Sequence, residues 1–170
     1  MNNFLLLFVC TGNICRSPMA EGIMKDLILD EFDVKHQVMP IEVLSAGTHA
    51  MTGSGASSYA IKVADRHDIN LKFHRSRKIT EHISKAADLI LTMEEAHTTF
   101  IKQSWPEITN VYALRRYNRG SSIVEEPIDI VDPIGLDIEV YSSVFEDLQG
   151  EIQRVASTIF SLALEKYRAR

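Results

Sequence analysis

The first pattern along the chain is an unbroken apolar run, Phe4-Leu5-Leu6-Leu7-Phe8-Val9, that ends at Cys10. A short run that is apolar at every position fits a central parallel strand buried on both faces, so a strand is predicted over residues 4–10. The run is too short to cross a membrane and lacks the basic flank of a signal peptide. A turn-forming segment follows, Thr11-Gly12-Asn13-Ile14-Cys15-Arg16. Beyond it Ala20, Ile23, Met24, Leu27 and Ile28 recur at helical spacing. Ser17 reads as the N-cap of this helix, Pro18 as its first residue, and Glu21 as part of its first turn.

The alternation continues. A second strand is predicted over Ile41–Ala46, then a Gly-, Ser- and Thr-rich loop over 47–57 and a helix over about 57–67. Residues 86–92 read as a third strand and about 94–103 as a helix. Asn110–Leu114 reads as a short fourth strand, and 115–136 as a long loop holding Pro127 and Pro133. A last helix is expected over about 137–167. Its buried face is marked by Tyr141, Val144, Phe145, Leu148, Ile152, Val155, Ala156, Ile159 and Leu162, and Gly150 is a mild weakness inside it. Four strands alternating with helices predict an α/β fold, three-layer α/β/α, with a four-stranded parallel sheet and helices on both faces. The whole chain, 1–170, is read as a single domain. Ligands of such sheets bind outside the carboxyl ends of the strands. The Thr11–Arg16 segment leaves the first strand at that end.

Apolar residues at 45% and charged residues at 24% are the balance of an ordinary soluble domain, able to bury a core without staples. The net charge of −5 argues against a nucleic-acid partner. The short basic clusters, Arg75-Arg77-Lys78 and Arg115-Arg116, read as solvated surface. An anion would therefore need a local positive site. Both cysteines, Cys10 and Cys15, lie in one loop, which is no disulfide framework and points to a reducing cytoplasm. The six histidines show no metal-type spacing, so neither a metal nor a cofactor is expected.

The segment Cys10-Thr11-Gly12-Asn13-Ile14-Cys15-Arg16-Ser17 joins a strand end to a helix start. A short loop of this kind turns successive backbone N–H groups toward one point, a nest for an anion. Gly12 and Asn13 are able to take the left-handed conformations it needs. The helix start adds its dipole, and Arg16 adds a planar fork for two phosphate oxygens. The same field stabilises a thiolate at Cys10. Residues 11–17 are thus candidate phosphate ligands, and Cys10 a candidate nucleophile with Arg16 as clamp. The Ser17 hydroxyl can donate to the thiolate and ease its departure. Cys15 either packs beneath the loop or pairs reversibly with Cys10 on oxidation.

Val9–Glu21 resembles the signature of the low-molecular-weight protein tyrosine phosphatases, and it sits at the amino terminus as in that family. Ser45-Ala46-Gly47-Thr48, His74-Arg75-Ser76-Arg77 and Asp132-Pro133 support the resemblance along nearly the whole chain. It implies a phosphatase working through a cysteinyl-phosphate on phosphorylated proteins, with Asp132 as the proton donor. Asp129 and Asp137 are rivals for that role. It also implies that Asn13, Ser45 and His74 hold the loop in shape by hydrogen bonds. By analogy, a bacterial tyrosine kinase would be the opposing partner.

Many relatives carry aromatic residues just after Asp-Pro. This chain has Ile134-Gly135 there, and its other loop offers His49 and Met51. The pocket wall is expected from Ile14, His49 and Ile134, aliphatic on one side. A related branch acts on phosphoarginine and has Thr where this chain has Ile14. Because Ile14 lacks a hydroxyl to orient water or guanidinium, phosphotyrosine is the expected substrate and phosphoarginine the alternative. Arsenate reductases of the same fold need further cysteines, which this chain lacks. A non-catalytic phosphate-binding module would need neither Cys10 nor Asp132.

Overall fold

The computed structural model describes residues 3–33, 39–119 and 127–169, with Phe32 and Asp33 as backbone only. Residues 120–126 of the predicted long loop lie outside the described residues. The elements run β1 (Phe4–Cys10), α1 (Arg16–Asp33), β2 (Ile41–Gly47), α2 (Ser58–Asp65), α3 (Glu81–Ala86), β3 (Leu89–Thr92), α4 (Glu95–Ser104), β4 (Val111–Ala113) and α5 (Ile138–Arg168).

The four strands form one sheet in the order β2-β1-β3-β4. Every pairing is parallel, with Cys10 opposite Gly47 and Val9 opposite both Ala46 and Thr92. β1 is therefore central, which is why its side chains are apolar on both faces. Leu6, Phe8 and Cys10 point into a core shared with α1, α2 and α5. Leu7 and Val9 point into a second core with Ile79, Ile101 and Ile108, near α3 and α4. Together these cores make the three layers. The chain leaves β1 toward β2 on one side and returns to β3 on the other, so the carboxyl end of β1 is the switch point where a ligand crevice opens.

The long helix α5 buries the predicted stripe from Tyr141 to Ile159, with Leu162 half-buried beside it. Asp137 caps it by accepting the Val140 N–H at 3.1 Å.

Three boundaries differ from expectation. Residues 86–88 are not strand: Thr80 caps the unpredicted helix α3, which takes Ala86. Asp88 turns its carboxylate back to the Leu5 N–H at 2.7 Å and to Lys166. β4 has three residues, not five. Ser17 is not an N-cap either, because α1 already begins at Arg16. Its hydroxyl turns to the end of β1 instead.

Candidate active site

Cys10 ends β1 with its side chain almost fully buried. The chain then curls so that the Asn13 N–H donates to Cys10 Sγ at 3.2 Å. Ser17 Oγ lies 3.0 Å from the same sulfur. The curl requires one left-handed residue, and it is Asn13, at φ 54°. Gly12 does not adopt a positive φ, contrary to expectation. Asn tolerates that region because its short polar side chain bonds locally, and here it does so on every side. Nδ2 donates to Ser17 Oγ at 2.9 Å and to Ser45 Oγ at 2.8 Å. Oδ1 accepts the Arg77 N–H at 2.8 Å.

A second tier fixes these partners. Ser45 Oγ donates to Glu21 Oε2 at 2.5 Å. His74 Nε2 donates to the Asn13 carbonyl at 2.7 Å, so its proton sits on that nitrogen. Burial lowers the His74 pKa, opposed by this bond and by Glu21, and the ring is neutral at pH 7. Gly47 lets the loop lie against β2. A Cβ there would stand 2.5 Å from the Thr11 carbonyl and 2.9 Å from the Asn13 nitrogen.

Arg16 is 1% exposed, and both ends of its fork are held. Nη1 donates to Glu94 Oε1 at 2.5 Å and to the Ile130 carbonyl at 2.9 Å. Nη2 donates to Asp132 Oδ2 at 2.7 Å. Of the three candidate acids, Asp129 accepts the Glu95 N–H and Asp137 caps α5, so both carry structural bonds. Asp132 is the one that reaches the loop.

Cys10, Arg16 and Asp132 line a cavity of about 160 Å³, together with Thr11, Gly12 and Cys15. Its apolar walls are Ile14 and Ile134. That size suits a phosphoryl group with part of its substituent. A larger cleft of about 330 Å³ behind the loop is lined by Glu21, Lys25 and His74 but by neither cysteine. Two expectations need correction. His49 is not part of the wall, because its ring tilts onto Phe100, centroids 5.5 Å apart, and Thr48 bonds its Nδ1. Asn13 and Ser17 lie fully buried behind the cavity lining rather than in it. The Cys15 thiol packs beneath the loop, 3.3 Å from both Ser57 Oγ and Tyr141 Oη. Burial raises its pKa and, with the Cys15 contact, pushes Tyr141 up to about 12.

Sequence reasoning missed Glu94, which grips Arg16, and His97, whose Nε2 lies 2.9 Å from Thr11 Oγ1. Both follow β3, the strand beside β1. A rule that inspects the carboxyl ends of every strand flanking the switch point would have flagged them.

The sequence profile of the family described as low molecular weight phosphotyrosine protein phosphatase matches residues 5–166. The chain belongs to that family. Among its relatives, the low molecular weight protein-tyrosine-phosphatase Wzb of Salmonella typhimurium is 39% identical, over 91% of this chain and 93% of its own. A protein-arginine-phosphatase of Geobacillus stearothermophilus is 34% identical, over 92% and 96%. A solved structure of the arginine phosphatase YwlE, a cysteine-to-serine variant with a phosphorylated active-site serine, superimposes with a TM-score of 0.79. It is 30% identical and covers 91% of this chain and 95% of its own. Family membership thus rests on nearly the full length, and both substrate classes occur among the relatives.

Proposed function

We propose that this phosphatase hydrolyses phosphotyrosine in proteins through a cysteinyl-phosphate on Cys10. The observation that carries the choice of tyrosine is the wall. Ile14 and Ile134 present aliphatic surface to the substituent of the phosphoryl group, and a phenyl ring gains by covering it. A phosphoguanidinium would set N–H donors against Ile14, which accepts no hydrogen bond.

The mechanism follows the bonds already made. The substrate phosphoryl group enters the cavity and takes two of its own oxygens to Arg16 Nη2 and Nε, displacing Asp132 from Nη2. Nε is buried with no partner among the described residues, and Nη1 stays on Glu94 and the Ile130 carbonyl. Cys10 Sγ attacks phosphorus in line as the P–O bond to the phenol breaks. Once off the fork, Asp132 takes up a proton from solvent and gives it to the departing phenolate. In the second step Asp132 takes a proton from water as that water attacks phosphorus, and the sulfur leaves as thiolate with the Ser17 hydroxyl donating to it. The phosphorylated active-site serine in the YwlE variant supports the reading of a covalent intermediate.

A second reading, protein-arginine phosphatase, is favoured by one feature: the Asp132 carboxylate lines the cavity and can face a guanidinium as well as a phenol. Two cysteines and no further thiol relay speak against arsenate reduction. The free thiols suit the reducing cytoplasm, where phosphorylated proteins, including a tyrosine kinase, would be the partners. The test compares kcat/KM for phosphotyrosine and phosphoarginine peptides of one sequence. The tyrosine peptide is expected to be the better substrate, and faster turnover of the arginine peptide would reverse the assignment.

A further inference from the structure

Beside the loop, and outside the mechanism just described, stands a buried imidazole. His97 lies in the first turn of α4 and is 4% exposed. Its Nε2 is 2.9 Å from Thr11 Oγ1 and 3.9 Å from Glu94 Oε1, the oxygen that grips Arg16. Its Nδ1 is buried with no hydrogen-bond partner among the described residues. Thr11 is the first residue of the loop and lines the cavity.

These contacts determine where the proton sits. A neutral imidazole carries one N–H. Placed on Nδ1, it would be an orphaned buried donor, the costlier kind of unsatisfied group. Placed on Nε2, it donates to Thr11 Oγ1 and leaves only a bare lone pair on Nδ1. Burial foremost, then Arg16, lowers the His97 pKa against the pull of Glu94, Asp129 and Asp132, so the ring is neutral at pH 7. With Nε2–H donating, the Thr11 oxygen acts as acceptor toward His97. The hydrogen of its own hydroxyl remains available to another acceptor.

We propose that His97 is a positioning residue that fixes the Thr11 hydroxyl as a hydrogen-bond donor to the phosphoryl group in the cavity. This inference rests on reading the loop as a phosphate cradle. The cradle then gains one side-chain donor at its first residue, opposite Arg16 at its last. The same ring stands 3.9 Å from the Glu94 oxygen that grips Arg16, and its one N–H goes to Thr11.

The test is the dissociation constant of inorganic phosphate, measured at pH 7 by protection of Cys10 from alkylation. His97→Ala should weaken binding about fivefold, the worth of one net hydrogen bond. His97→Gln can place an amide N–H where Nε2–H stood and should recover most of that loss. Thr11→Val should weaken binding by a similar factor, and His97→Ala in the Thr11→Val background should cost nothing more. A general packing role for His97 would instead give additive losses in the double variant and no recovery with Gln. Either of those results, or unchanged binding in His97→Ala and Thr11→Val, overturns the proposal. If the unsubstituted protein fails to bind phosphate, the cradle reading itself falls and takes this inference with it.

Discussion

Asp132 Oδ2 lies 2.7 Å from Arg16 Nη2, so the group expected to give the proton occupies one tine of the fork expected to bind the phosphate. A phosphoryl oxygen has to take that place. On the proposed mechanism Asp132 is then freed to turn toward the leaving group, which would couple binding of the anion to release of the acid.

The coupling has a measurable cost. Asp132→Asn removes both the competing carboxylate and its repulsion of the anion. Asp132 is partly exposed, so the pair is screened and worth at most about 1 kcal/mol. The variant is expected to bind inorganic phosphate about threefold more tightly at pH 7. Unchanged or weaker binding would show that the Asp132–Arg16 contact does not oppose entry.

Glu94 grips the other tine. Its carboxylate is partly shielded, and it shares Nη1 with the Ile130 carbonyl. Glu94→Gln leaves a weaker neutral acceptor. Hydrogen bonds to charged groups contribute about 1.5–3 kcal/mol, and with Ile130 still in place the loss should be near the lower end, about tenfold in kcat/KM for an aryl phosphate. If Glu94→Gln matches the unsubstituted protein, Arg16 does not depend on this anchor.

Asn13 carries the loop's shape, combining a left-handed backbone with three side-chain hydrogen bonds. Asn13→Ala loses all three and strains the backbone, for an expected destabilisation of about 3 kcal/mol in urea unfolding. Asn13→Gly relieves the strain but not the lost bonds, and should recover about 1 kcal/mol of it. A loss below about 1 kcal/mol for Ala would mean that the loop is held by other contacts.

How much of this was legible in the chain depended on how local each signal was. β1 and α5 announce themselves, one by an unbroken apolar run and the other by a long stripe at helical spacing. The loop from Cys10 to Arg16 is contiguous, so its candidate chemistry could be proposed from the sequence alone. α3 was missed because six residues with His82, Ser84 and Lys85 among them show no apolar stripe. Ser17 looked like a cap because Ser before Pro usually is one. Its hydroxyl was also read as a donor to Cys10, and the register of β1 against β2, which brings Ala46 and Ser45 beside the loop, shows what holds it there. Glu94 and His97 are more than 75 residues from their partners, and their roles exist only once β3 is placed beside β1.

His74 and His97 make stability depend on pH. Burial lowers both pKa values from the ordinary 6.5. The unfolded chain therefore binds protons in a range where the folded protein does not. Their contribution is full above pH 6.5 and is lost as the pH falls through the lowered folded values. The thermal midpoint should drop between pH 7 and pH 5.5. A His74→Gln/His97→Gln variant, which keeps donors but does not titrate, should drop less. Equal slopes would rule out these two rings as the source.

The most direct measurement looks for the phosphoryl group on sulfur. With p-nitrophenyl phosphate the leaving group needs little protonation, so Asp132→Asn should still form the intermediate. It should hydrolyse that intermediate slowly, for want of a base for water. Rapid acid quench of this variant, followed by peptide mass analysis, is expected to find one phosphoryl group on Cys10. Turnover without phosphorylated Cys10, or with the phosphoryl group on another residue, would contradict the account.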